Sequence, residues 1–152
     1  MKIIYSDNLE QTQRLGSSLG KLFQTCPAVL LMRGDLGAGK TTLSQAIVAG
    51  YGLTDPVTSP TYALMHIYGG GAFYHYDLYR LQDPGELEEI GFEEAMDEGV
   101  PVIIEWPELV ADHPFKHKLE LEIAYGDEPG CRKLIFQTSD PVLMEGLNHL
   151  ES

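Results

Sequence analysis

Residues Gly34-Asp35-Leu36-Gly37-Ala38-Gly39-Lys40-Thr41 match the pattern G-x-x-x-x-G-K-[ST], which restricts this chain more than any other stretch. The glycines permit backbone conformations and close approaches that a side chain blocks, so successive N–H groups can converge on phosphate oxygens. Lys40 supplies charge for the outer phosphates, and the Thr41 hydroxyl is placed to ligate the Mg2+ that accompanies them. Such a loop works between a buried strand and a helix N-terminus, whose partial positive charge adds to the nest. Both flanks comply. Ala28-Val29-Leu30-Leu31-Met32 is a continuous apolar run of the kind a parallel sheet buries on both faces, while Leu43, Ala46 and Ile47 recur at helical spacing before Gly50 and Gly52 mark a stop.

At 152 residues the chain suits one domain, 1–152, able to bury roughly 70% of its unfolded surface. A net charge of -13, from 23 acidic against 10 basic residues, works against direct binding to DNA or RNA, whose affinity rests on Lys and Arg neutralising phosphates. The acid is concentrated. From Leu81 to Phe115 there is no Lys or Arg, while Asp83, Glu86, Glu88, Glu89, Glu93, Glu94, Asp97 and Glu98 accumulate, reading as a solvated helical face or as a docking surface for a basic partner. Cys26 and Cys131 lack C-x-x-C spacing and suit reduced thiols. Met1 to Asp7 has no signal-peptide core, and no apolar run approaches membrane-spanning length, so the expectation is a cytoplasmic protein with no membrane contact.

Lys2 to Tyr5 reads as a short strand, and Asp7 with Glu10 as a variant capping box for a helix whose Leu15, Leu19, Leu22 and Phe23 share one face until Pro27 ends it. Asp55 to Tyr62, with Pro56 and Pro60, is an irregular connection. Thr61 within it is either a switch hydroxyl responding to Mg2+ and γ-phosphate or part of an ordinary surface turn. Ala63–Tyr68 and Ala72–Leu78 read as a hairpin around Gly69-Gly70-Gly71, and Asp83–Gly99 as one or two short helices with Leu87, Ile90 and Phe92 inward and Gly91 as a break. Val100 to Ile104 is a second buried run, leading into Glu105-Trp106-Pro107. Lys118–Tyr125 and Cys131–Thr138 alternate as two strands around a turn, and a terminal helix starts near Asp140. The fold class is therefore α/β, a P-loop NTPase fold with a mainly parallel central sheet flanked by helices and antiparallel strands added.

Phosphate chemistry needs an acid on the metal side opposite Thr41 and a group that orients the attacking water. Asp77 and Glu105 both stand at predicted strand ends. Glu105 has the better context for the metal position, and Asp77 suits the water, with an indirect contact to the metal as its alternative. Arg80 is expected to pair with the acidic segment and Trp106 to pack. Pro114 between His113 and His117 spoils a shared helical metal face, so no zinc is expected. No N-K-x-D stretch occurs, which favours adenine as the base. A small-molecule kinase and a nucleotide-gated binding module with incidental hydrolysis are the alternatives; the four arginines are few for a lid over two sets of phosphates.

The P-loop, Ser59-Pro60-Thr61-Tyr62, Tyr74-His75-Tyr76-Asp77-Leu78-Tyr79-Arg80-Leu81 and Glu105-Trp106-Pro107, in this order, resemble the bacterial TsaE (YjeE) family, ATPases of the machinery that forms N6-threonylcarbamoyladenosine in tRNA. The resemblance implies an ATP/ADP- and Mg2+-binding ATPase that works with two partner proteins, TsaB and TsaD, and meets tRNA only indirectly. It implies that Gly34, Asp35, Leu36, Gly37, Ala38, Gly39, Lys40, Thr41 and Thr42 hold the phosphates, and that Thr41 and Glu105 hold the metal. Lys40, Asp77 and the switch-like Thr61 would serve turnover. The adenine would lie near Leu9, with the Arg132 strand beside it.

Overall fold

The computed structural model describes residues 1–35, 37–55, 65–79, 81, 83, 85–89 and 91–150. In chain order the elements are β1 (Lys2–Ser6), α1 (Leu9–Thr25), β2 (Val29–Gly34), α2 (Lys40–Tyr51), β3 (Met65–Tyr68), β4 (Phe73–Asp77), α3 (Gly85–Glu89), α4 (Phe92–Asp97) and β5 (Val102–Glu105). A short 3-10 turn (Pro107–Val110), β6 (Lys118–Tyr125), β7 (Arg132–Gln137) and α5 (Pro141–Asn148) complete them. The strands form one seven-stranded sheet in the order β1-β7-β6-β2-β5-β4-β3. Its centre is parallel, β6 with β2, β2 with β5 and β5 with β4, and antiparallel strands extend it on both sides.

The apolar runs of β2 and β5 are unbroken because both faces of the central sheet are covered. Leu30, Met32 and Ile103 face a core built with Leu15, Leu19 and Phe23 of α1, Leu43 and Ile47 of α2, and Leu143 and Leu147 of α5. Leu31 and Ile104 face a second core with Tyr74, Tyr76, Leu87, Phe92 and Ala95. The acidic stretch resolves into α3 and α4, which turn Leu87, Phe92 and Ala95 inward and leave Glu86, Glu88, Glu89, Glu93 and Glu94 exposed. Gly91, at φ 70°, caps α4. His113 and His117 turn to separate carboxylates, those of Glu93 and Asp140. No helix among the described residues is long and apolar enough to cross a membrane.

Two local expectations change. The α1 cap is Asn8, not Asp7: extended backbone at Asn8 lets its side chain accept from Gln11 N at 2.9 Å, while Gln11 Oε1 accepts from Asp7 N at 2.8 Å. The cap thus sits one residue further along than the Asp7–Glu10 spacing indicates, and Gln11 returns its bond to Asp7 N, the residue before the cap. Gly50 does not stop α2, which runs on to Tyr51 and is capped by Gly52. Gly50 is instead part of a seam where α1 and α2 approach closely. A Cβ at Gly50 would lie 2.2 Å from Ser17 O, and one at Gly20 would lie 2.1 Å from Ile47 O and 2.7 Å from Tyr51 N. Ile90 and Arg80 lie outside the described residues.

Gly20→Ala tests the seam, because alanine raises helix propensity by about 1 kcal/mol yet meets main-chain atoms that cannot rotate away. Overpacking of about 1–3 kcal/mol should win, and calorimetry should show a melting temperature lowered by several degrees. The start of α5 gives a pH-dependent counterpart. Asp140 Oδ1 accepts from Val142 N and Leu143 N while Oδ2 pairs with His117, and the His117 hydrogen bond holds the carboxyl below its ordinary 3.8. A depressed folded-state pKa contributes stability that is present above 3.8 and fades as pH falls through the folded value. Asp140→Ala should cost about 0.5–2 kcal/mol near neutrality, and the difference from wild type should shrink below pH 4 in urea unfolding curves.

Candidate functional site

The site forms at the C-terminal edge of the parallel strands, where α/β sheets bind ligands. There β2 ends in Gly34, whose missing Cβ would otherwise sit 2.9 Å from Ile123 O of β6. The loop then turns, with Ala38 N donating to Asp35 O at 3.0 Å, and α2 begins at Lys40. Gly39, the N-cap, is needed for its backbone and not for space: φ is 112°, and nothing lies within 4 Å of a built Cβ. It brings no side-chain cap, so the first N–H groups of α2 keep their donors for another acceptor. Leu36 lies outside the described residues.

Lys40 is only 7% exposed, and its Nζ rests 4.1 Å from the centroid of the Trp106 ring. The ring's negative face offsets part of the cost of burying the ammonium, an interaction of about 0.5–2 kcal/mol. Trp106 overhangs the loop because it takes φ 56°, a left-handed conformation, between Glu105 and Pro107; its ring also packs on Tyr79 at 4.9 Å. Among the described residues it is the one non-glycine with positive φ. Such backbone costs about 1–2 kcal/mol and is retained only where its surroundings enforce it.

Parallel pairing sets Met32 beside Glu105 and Glu105 beside Asp77. Both carboxylates therefore end adjacent strands next to the loop. With Gly37, Gly39, Lys40, Thr41, Thr42 and Trp106 they line a cavity of about 280 Å³. Asp77 Oδ1 accepts the Tyr79 N–H at 3.1 Å, a local turn that holds the carboxylate at the strand end. Glu105 is 3% exposed and meets His75 Nε2 at 2.6 Å; His75 Nδ1 lies 3.2 Å from the Tyr68 hydroxyl. Among the described residues no group of three or more His, Cys, Asp or Glu could cage a metal alone. A hydroxyl and two carboxylates above a phosphate cradle instead suit Mg2+, which keeps waters and takes one or two protein carboxylates together with substrate phosphates.

Arg132, at the start of β7, donates from Nε to Ala38 O at 2.7 Å and from Nη1 to Cys131 O at 2.8 Å, with its guanidinium 4.7 Å from the Tyr125 ring centroid. It thus ties the antiparallel extension to the P-loop. Beside it Tyr5, Asp7, Gly126, Cys131 and Lys133 help line a second cavity of about 490 Å³. Leu9, 59% exposed, starts α1 and is not among the lining residues. Thr61 lies outside the described residues. Sequence reading assigned no role to His75, to Tyr125 or to the Lys40–Trp106 contact. For His75 the signal was present: two residues before Asp77 on a strand is the same face.

Trp106 is the chain's one tryptophan, so its fluorescence reports directly on Lys40. A phosphate-bearing ligand that draws the ammonium off the ring should change emission intensity and shift its maximum. Lys40→Ala should remove most of the response to added nucleotide. An identical response in wild type and variant would place Lys40 elsewhere than on the phosphates.

The family model described as "Threonylcarbamoyl adenosine biosynthesis protein TsaE" matches residues 6–134. Proteins named "tRNA threonylcarbamoyladenosine biosynthesis protein TsaE" are similar to the chain in several bacteria. That of Nostoc sp. is 40% identical, covering 84% of this chain and 80% of its own. That of Haemophilus influenzae is 36% identical, covering 84% and 82%, and that of Bacillus subtilis 34%, covering 76% and 73%. The crystal structure of Bacillus subtilis YdiB superposes with a TM-score of 0.75 at 25% identity, covering 97% of this chain and 95% of that one. With the family model spanning residues 6–134 and relatives of this similarity over three quarters or more of its length, the chain belongs to the TsaE family of threonylcarbamoyladenosine biosynthesis proteins.

Proposed function

We propose that this protein is the Mg2+-dependent, ATP-binding and ATP-hydrolysing component of the cytoplasmic system that forms N6-threonylcarbamoyladenosine in tRNA, and that it acts through TsaB and TsaD. The observation that carries the reading is the convergence on one cavity of Lys40, Thr41, Asp77 and Glu105, brought there by β2, α2, β4 and β5. The open start of α2 and the loop N–H groups accept the phosphates, and Lys40 exchanges the Trp106 ring for their charge. Mg2+, when bound, offsets the charge that develops on the transferring phosphoryl group. Thr41 and Glu105 hold it, and Asp77 orients the attacking water. The Thr61 hydroxyl responds to Mg2+ and the γ-phosphate, while Leu9 and the Arg132 strand flank the adenine.

Net charge of -13 keeps tRNA off this chain, so partners supply the RNA contact. The exposed carboxylates of α3 and α4 are one surface for a basic protein patch, and the loop that carries Thr61 is the other.

The test combines turnover with reconstitution. Glu105→Ala should weaken Mg2+-dependent ATP binding, whereas Asp77→Ala should bind closer to wild type and lose hydrolysis by about 10²-fold or more. The reverse pattern exchanges the two roles. Multiple-turnover tRNA modification by TsaB and TsaD should then require this protein and fail with Lys40→Ala. Equal modification with wild type, with Lys40→Ala and with neither would sink the proposal.

A further inference from the structure

Side-chain alternation along β4 sets Phe73, His75 and Asp77 on one face of the sheet. Phe73 packs in the core beneath α1 and α2, Asp77 lines the cavity, and His75 lies between them with 0% exposure. An imidazole buried so completely needs partners for both nitrogens. Nε2 is 2.6 Å from Glu105 Oε2 on β5, and Nδ1 is 3.2 Å from the Tyr68 hydroxyl on β3. A carboxylate only accepts, so the proton between His75 and Glu105 belongs on Nε2. The Tyr68 phenol, pushed up to about 12 first by burial and then by the charges of Glu105 and Asp55, keeps its proton, and in the Nε2–H tautomer of His75 it is the donor to Nδ1. The resulting chain runs O–H to Nδ1 and Nε2–H to carboxylate, and it crosses β3, β4 and β5.

The choice of imidazole matters. Glu105 stands in register with Asp77, so two acids share the sheet edge. A Lys or Arg at position 75 would fix Glu105 but cancel the negative field that attracts a cation. An apolar residue would keep the field but leave the buried carboxylate without a donor and its rotamer unset. An imidazole supplies the donor without bringing the permanent positive charge of a Lys or Arg. We propose that His75, held by Tyr68, is a positioning residue for the cation site: it engages one oxygen of Glu105 and so presents the other to Mg2+. The inference rests on the metal role given to Glu105 above.

Calorimetric titration of Mg2+ against nucleotide binding separates positioning from packing. The proteins are wild type, His75→Leu, His75→Gln and Tyr68→Phe, each checked by thermal unfolding, and the ligand is ADP. Outer-shell partners of metal ligands are worth about 10- to 100-fold in metal affinity, so His75→Leu should raise the Mg2+ midpoint by that factor. His75→Gln, whose amide N–H can replace Nε2–H, should recover most of the loss. Tyr68→Phe should shift the midpoint in the same direction by less. If His75→Leu does not fold, His75→Asn, polar but too short to reach Glu105, should show the same rise. An unchanged midpoint in a folded His75→Leu, or equal shifts for the Leu and Gln variants, overturns the inference alone. Wild-type nucleotide binding that ignores Mg2+ overturns the ATPase reading as well.

Discussion

Hydrogen bonds between β2, β5 and β4 hold three parallel strands in a register that sets Met32 beside Glu105 and Glu105 beside Asp77. Everything at the site depends on that register. A slip of one residue in β5 would turn Glu105 to the opposite face of the sheet and leave an apolar side chain in its place. The register is secured by burial, since Leu30, Met32 and Ile103 fill one core while Leu31 and Ile104 fill the other.

The site carries two buried charges that the protein handles by different means. Lys40 lies on the face of Trp106, and Glu105 accepts a hydrogen bond from His75. Neither partner is a side chain with a permanent opposite charge. A direct Lys–Glu pair would satisfy both groups, but pulling it apart to admit phosphates and a cation would cost about 3–5 kcal/mol for a broken buried pair. A cation–π contact and a single imidazole hydrogen bond hold the two groups in place, so a charged ligand meets an ammonium and a carboxylate still available to it. The left-handed backbone at Trp106 belongs to the same arrangement, because it lets the chain end β5 at Glu105 and fold the indole back over the loop.

Rigid support behind the loop comes from close helix packing. Gly16, Gly20 and Gly50 let the backbones of α1 and α2 approach within the space a methyl group would need. This fixes α2, and with it the open N–H groups at its start, against the sheet. On the other side Arg132 ties the loop carbonyl of Ala38 to the antiparallel strands. The P-loop is therefore held from the helix below it and from the strand beside it. Charge is arranged separately: exposed acids gather on α3 and α4, against the second core.

Much of the fold was legible in the residues because its signals are local. Continuous apolar runs marked β2 and β5, the loop pattern marked the strand-to-helix junction, and the family resemblance rested on short ordered motifs. Local signals were also where small errors arose: Asp7 and Asn8 are both good caps, and only the extended backbone at Asn8 chose between them. Gly50 looked like a stop because sequence cannot distinguish a glycine that ends a helix from one that admits a neighbour. What the sequence by itself determined was the identity of the chemical groups and the elements that carry them. What only the tertiary structure decided was which groups meet: Lys40 with Trp106, His75 with Glu105, and Arg132 with Ala38. Those partners are 30 or more residues apart in the chain, and their contacts follow from strand order and register, which long-range packing sets.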